Sequence, residues 1–153
     1  MKKNFKIVGV VLVLILLVLQ FIRSEKNEQG YKSIANFEEE TQPGVAVKKI
    51  LESKCYDCHS NHTVYPWYAE VAPFSFWIAH HVEEGKEHFN VSNWKQFDVK
   101  KKDHKLEELI EEVEEKEMPL SSYTWLHGDL EEDEKIALIN WAKEVRLKYT
   151  ADN

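Results

Sequence analysis

The chain reads as an all-α protein, one helical domain preceded by an apolar N-terminal helix. Three observations lead there. Apolar residues recur at helical spacing in four separate stretches. No stretch alternates apolar and polar residues as a half-buried strand does. An almost unbroken apolar run, Ile7 to Leu19, follows a lysine-bearing head. The 153 residues suffice for one domain plus an appendage.

Taken in order, the chain starts with a basic head, Met1 to Lys6. Ile7 to Leu19 is apolar apart from Gly9, and Phe21 and Ile22 extend the run past Gln20. As a helix, Phe5 to Ile22 would be about 27 Å long, close to the thickness of a bilayer core. A cleaved signal peptide would carry small residues in an A-x-A-like pattern after the run, and Gln20-Phe21-Ile22-Arg23-Ser24-Glu25 has none. Residues 1–23 are therefore expected to be an uncleaved signal-anchor, a single-pass transmembrane helix in the cell inner membrane. The lysines would hold the N-terminus in the cytoplasm, which puts everything after Arg23 on the periplasmic, extracytoplasmic side. Residues 24–42 are polar and read as a tether, with some order around Tyr31–Phe37. The domain proper is expected over residues 43–150.

Pro43 can open its first helix, in which Val47, Ile50 and Leu51 share a face. Pro73 starts a second, with Phe74, Trp77, Ile78 and His81 in one apolar stripe that Gly85 and His88 continue. The glycine would let something flat approach closely. Asp103 to Glu117 is a third helix, with Leu106, Leu109, Ile110 and Val113 inward and glutamates outward. It is expected to stop near Glu117, because Pro119 disfavours helical geometry in the residue before it. Asp129 can cap a fourth helix, with Glu132 in the capping-box position and Leu138, Trp141, Ala142, Val145 and Tyr149 buried.

The chemistry concentrates in Cys55-Tyr56-Asp57-Cys58-His59, which holds the only two cysteines. This is the attachment pattern of c-type haem. Two thiols, separated by two residues, can each form a thioether with one porphyrin vinyl group from the same side. The histidine that follows then lies where its imidazole can be the proximal iron ligand. The alternatives are a thioredoxin-like redox pair, half of a zinc site, or two unrelated buried cysteines. The first should sit in a βαβ pattern, and none is present. A structural zinc site prefers four ligands, and His59 and His62 would complete one only at unusually tight spacings.

Met118 is the only methionine besides Met1. It precedes Pro119 and falls between the third and fourth helices, so its thioether is the expected sixth ligand; Met/His ligation raises the potential. The alternative is a methionine that fills a core gap. His81 and His88, on the stripe of the second helix, are the rival ligands. His62 is too near the attachment turn, while His80, His104 and His127 suit the surface or the propionates. Trp125 and Tyr123 are the first guesses for propionate partners.

Charge narrows the partners. Residues 1–23 carry +4 and the whole chain −7, so residues 24–153 carry −11. That argues against nucleic acid and suits a redox partner protein with a basic face. The expected function is haem binding and single-electron transfer, with no bond-making catalysis and no catalytic residues. A haem-based sensor or small-ligand-binding module is the alternative. A peroxidase-like enzyme is a third, disfavoured because no arginine lies near His81 or His88.

On these residues the stretch from about Gln42 to Tyr149 resembles the bacterial haem-binding domain family of small, anchored, monohaem c-type proteins, and more loosely class I cytochromes c. The motifs are Cys55–His59, Tyr65-Pro66-Trp67-Tyr68, Met118-Pro119-Leu120 and Ser122-Tyr123-Thr124-Trp125-Leu126-His127. The resemblance implies a cytochrome c-like helical fold around one covalent haem c, bound through Cys55 and Cys58, with His59 proximal. The aromatic insertion and extra helix between His59 and Met118 depart from class I cytochromes.

Overall fold

The computed structural model describes residues 2–150. They form eight α-helices: α1 (Lys2–Leu19), α2 (Ala35–Thr41), α3 (Val45–Lys54), α4 (Tyr56–His59), α5 (Phe74–His88), α6 (Val99–Glu114), α7 (Ser121–His127) and α8 (Glu132–Thr150). Three 3₁₀ turns lie between them, at Tyr31–Ser33, Trp67–Glu70 and Val91–Gln96. Among the described residues there is no strand, only one isolated antiparallel bridge between Glu28 and His62. The all-α expectation holds.

The expected transmembrane helix does not. No helix among the described residues is long and apolar enough to cross a membrane. The physical reason is length. Lys2, Lys3 and Lys6 occupy the first turns of α1, and the helix stops at Leu19. The uncharged part, Ile7 to Leu19, spans about 20 Å at 1.5 Å per residue, against about 30 Å of hydrocarbon. Beyond Leu19 the chain turns back onto the domain. The Gln20 side chain exchanges two hydrogen bonds of 3.1 Å with the Ala72 backbone, and Arg23 donates to the Glu70 carbonyl at 2.8 Å. Phe21 and Ile22 therefore do not lengthen the helix. The single-pass inner-membrane placement, and the cytoplasmic and periplasmic sides assigned from it, fall with the span.

The core is built where the helical stripes meet. Leu106, Ile110 and Val113 of α6 pack with Leu138, Ala142 and Val145 of α8, and Val47, Ile50 and Leu51 of α3 close the same cluster. At its centre lies Phe37, fully buried, with the Tyr56, Phe89, Trp94 and Trp141 rings around it in edge-on contacts of 4.9 to 6.4 Å. Such geometry sets the positive ring edge against a negative face. Phe37 belongs to α2, so the polar stretch 24–42 sends Ile34, Phe37 and Thr41 into the core. The Trp141 indole donates to the Thr41 carbonyl at 3.1 Å.

Helix limits differ from expectation for local reasons. α6 starts at Val99 rather than Asp103, because the Asp98 carboxylate accepts the Lys101 N–H at 2.7 Å and caps the end. It stops at Glu114, where Lys116 takes a left-handed φ of 64° and the Glu117 and Met118 amides fold back onto the Glu112 carbonyl. The turn that ends the helix thus precedes Pro119. On α5 the expected stripe is not the buried face. Phe74 and Trp77 are exposed, and the helix buries Ser75 and Val82.

Candidate functional site

α3 delivers Cys55 at its C-terminus, and the chain continues at once into the single turn of α4. The His59 N–H bonds the Cys55 carbonyl at 3.0 Å, as in a helix, which brings residues 55 and 59 to one side of a closed turn. α5 packs on the outside of this turn at Gly85. A Cβ there would sit 2.7 Å from the Cys58 carbonyl oxygen and 3.0 Å from its Cβ. The glycine expected to admit something flat admits the backbone of Cys58.

His59 is the most constrained member. Its Nδ1 lies 2.9 Å from the Phe89 carbonyl oxygen. A carbonyl only accepts, so Nδ1 carries the proton and Nε2 keeps its lone pair. Burial holds the ring's pKa below its ordinary value, against the opposing pull of the Phe89 carbonyl. A neutral imidazole with one nitrogen anchored on a carbonyl is the form in which histidine binds metals.

Cys55, His59 and Met118 line one cavity of about 540 Å³. Its other walls are mainly apolar, with Leu51, Phe89, Leu109, Val113, Leu130 and Leu138 among them. Cys58 faces a second, much smaller cavity of about 50 Å³ behind the turn, where Tyr123, His127, Tyr68 and His81 also lie. Burial pushes the Cys55 thiol up to about 12 and the Cys58 thiol up to about 11. Thiol redox centres depend on the opposite shift. Among the described residues no group of three or more His, Cys, Asp or Glu side chains is placed to hold a metal ion.

The family comparison agrees with this geometry: a haem-binding domain matches residues 14–144. The chain belongs to the haem-binding domain family. No curated protein and no solved structure matches it. The large cavity fits the group on its own chemistry. A haem-binding domain needs a slot within the usual 300–1,000 Å³ of ligand sites, apolar walls, and an imidazole with a free lone pair, and all three occur here.

The histidines separate clearly. His88 lines the large cavity, at the C-terminal end of α5. His81 does not; its ring packs on Trp77 at 4.7 Å beside the small cavity. His62 lies against Tyr31 at 4.4 Å. Of the two propionate guesses, Trp125 is 90% exposed and Tyr123 belongs to the small cavity. Tyr123 instead secures the Cys55–His59 turn. Its hydroxyl donates to the Ser53 carbonyl at 2.9 Å and lies 3.4 Å from the Asp57 carboxylate. Its ring stacks on His127 at 4.2 Å, and His127 Nε2 is 2.8 Å from the Tyr68 hydroxyl. Asp57, between the two cysteines, accepts the Val64 N–H at 2.8 Å.

Sequence reasoning missed the Phe89 carbonyl, Leu130 and Lys105. The carbonyl has no side-chain signature, and Lys105 looks like any surface lysine until the fold sets it on the cavity wall.

Proposed function

We propose that this haem-binding domain protein is a monohaem c-type electron carrier. The haem would be joined through Cys55, which lines the large cavity, and through Cys58, whose side chain would have to turn from the small cavity to the same face, with His59 as proximal and Met118 as distal ligand. The observation that carries the reading is the anchoring of His59 on the Phe89 carbonyl in the same cavity as Cys55 and Met118.

When bound, the haem supplies an iron that gains or loses one electron. The protein does the rest. Phe89 fixes the imidazole plane and its tautomer. The apolar walls exclude water, which favours the less charged oxidation state. A thioether from Met118 favours the ferrous state further. No arginine lines the cavity: Arg146 pairs with Asp103 and Glu107, and Arg23 with Glu70. This supports a carrier over a peroxidase-like enzyme. Glu108, Glu111 and Glu112 of α6 rim the cavity, so a partner protein with a basic face would be steered to that edge.

Attachment is tested on a denaturing gel. Protein matured with a cytochrome c assembly system should retain haem stain, and Cys55→Ala/Cys58→Ala should lose it. Stain persisting in the double variant would sink the covalent reading. Met118→Ala should open the sixth position, so that the ferrous protein binds carbon monoxide. The same result from His88→Ala, with Met118→Ala silent, would give the distal role to His88.

A further inference from the structure

The charges of α6 are segregated along its axis. Its N-terminal half carries Lys100, Lys101, Lys102 and Lys105 with a single acid, Asp103, which Arg146 pairs, and its C-terminal half carries Glu107, Glu108, Glu111, Glu112 and Glu114. The first turn holds no acid and the last turn no base. This runs against the helix macrodipole, which favours acids at the N-terminus and bases at the C-terminus. Helix stability therefore does not explain the pattern.

The basic half of α6 forms one wall of a groove of about 550 Å³. Lys86 and His88 at the end of α5 form another, with His104 beside them. Four lysines line the groove against two carboxylates, Glu87 and Asp98, in a chain whose net charge is −7. One Asp98 oxygen is already taken by the helix cap. Lys86 donates to Asn27 at 2.9 Å, and Lys105 pairs with Glu108. Lys100 and Lys101 are exposed and form no ion pair among the described residues; Lys101 lies over the Phe97 ring at 4.4 Å. His88 and Lys105 line both this groove and the large cavity. This positive concavity thus adjoins the large cavity, at the opposite end of α6 from its acidic rim.

We propose that this groove docks the acidic face of a second redox partner protein. It rests on the electron-carrier reading and adds to it. A carrier meets a donor and an acceptor, and two oppositely charged edges on one cavity steer two different partners.

The test uses Lys100→Glu/Lys101→Glu, with Lys100→Gln/Lys101→Gln as the milder pair; neither position lines the haem cavity. A fluorescein-labelled octaglutamate peptide is titrated at low ionic strength and followed by anisotropy. Binding should weaken roughly tenfold in the Glu pair and about threefold in the Gln pair, and the difference should vanish in high salt. Reaction of the haem-loaded ferrous protein with ferricyanide, a trianion, should slow to a similar degree, while reaction with tris(1,10-phenanthroline)cobalt(III), a trication that is also a strong enough oxidant, should not. Equal peptide binding by all three proteins, or equal slowing with both complexes, would overturn the groove. Absence of any haem couple, with the peptide effect intact, would instead overturn the carrier reading.

Discussion

The two sides of the Cys55–His59 turn are built on opposite plans. One side faces a cavity of about 540 Å³ whose apolar walls make few directional contacts. The other side is nearly filled, about 50 Å³, and is held by hydrogen bonds among Asp57, Tyr123, His127 and Tyr68. The difference shows how a single helical turn can be both rigid and open. Polar clamps behind it, and the close pass of α5 at Gly85, fix the backbone. The front is then free to present Cys55 and His59 without loss of position.

The comparison can be broken first at Gly85. A valine there forces the α5 backbone off the Cys58 carbonyl, which a Cβ would meet at 2.7 Å. Gly85→Val should cost about 1–3 kcal/mol, the range of core overpacking, read as a fall in the urea midpoint of the haem-free protein. An unchanged midpoint would mean that the back of the turn is not close-packed.

On the open side, added volume should behave in the opposite way. Leu109→Phe places a larger ring on the cavity wall. The urea midpoint of the haem-free protein should stay within about 1 kcal/mol of the parent or rise, while haem uptake falls severalfold. A destabilisation as large as that of Gly85→Val would show that the two sides do not differ.

A smaller effect sharpens the role of the clamp. Tyr123→Phe removes the hydroxyl bonds to Ser53 and Asp57 and keeps the ring on His127. The loss should be about 1 kcal/mol, visible in chemical denaturation. Haem stain should persist, because the turn remains closed by its own backbone bonds.

The smallest effect lies outside both sides. Glu40 on α2 feels a burial penalty, but hydrogen bonds from Lys102 and Tyr149 outweigh it and hold its pKa below the ordinary 4.5. A depressed acid contributes stability above the unfolded value and loses it as pH falls through the folded one. Glu40→Gln should thus flatten the acid limb of stability below about pH 4.5. The gain at neutral pH is under about 1 kcal/mol, because the carboxylate is 38% exposed. Its haem spectrum should not change, which separates global stability from the turn.

Much of this was legible in the residues alone. Local spacing settles which residues share a helix face when an element is long and amphipathic, so the stripes of α3, α6 and α8 were correctly read. The Cys55–His59 pattern that points to haem is equally local, because it needs only neighbours in the chain. α5 was misread at its start, where Phe74 and Trp77 are exposed and Ser75 and Val82 are buried, because a small polar residue carries no weight in a hydropathy pattern.

The all-α class and the pointer to haem binding rest on periodicities and spacings of a few residues, so both could be read along the chain. The folded molecule set the rest. It stopped α1 at Leu19 by drawing Gln20 onto Ala72, and it made Phe37 of a polar segment the centre of the core. It chose the Phe89 carbonyl as the anchor of His59 and set His81 and His88 on different cavities. Each of these joins residues far apart in the chain, where no local preference speaks and only packing and the pairing of buried polar groups can choose.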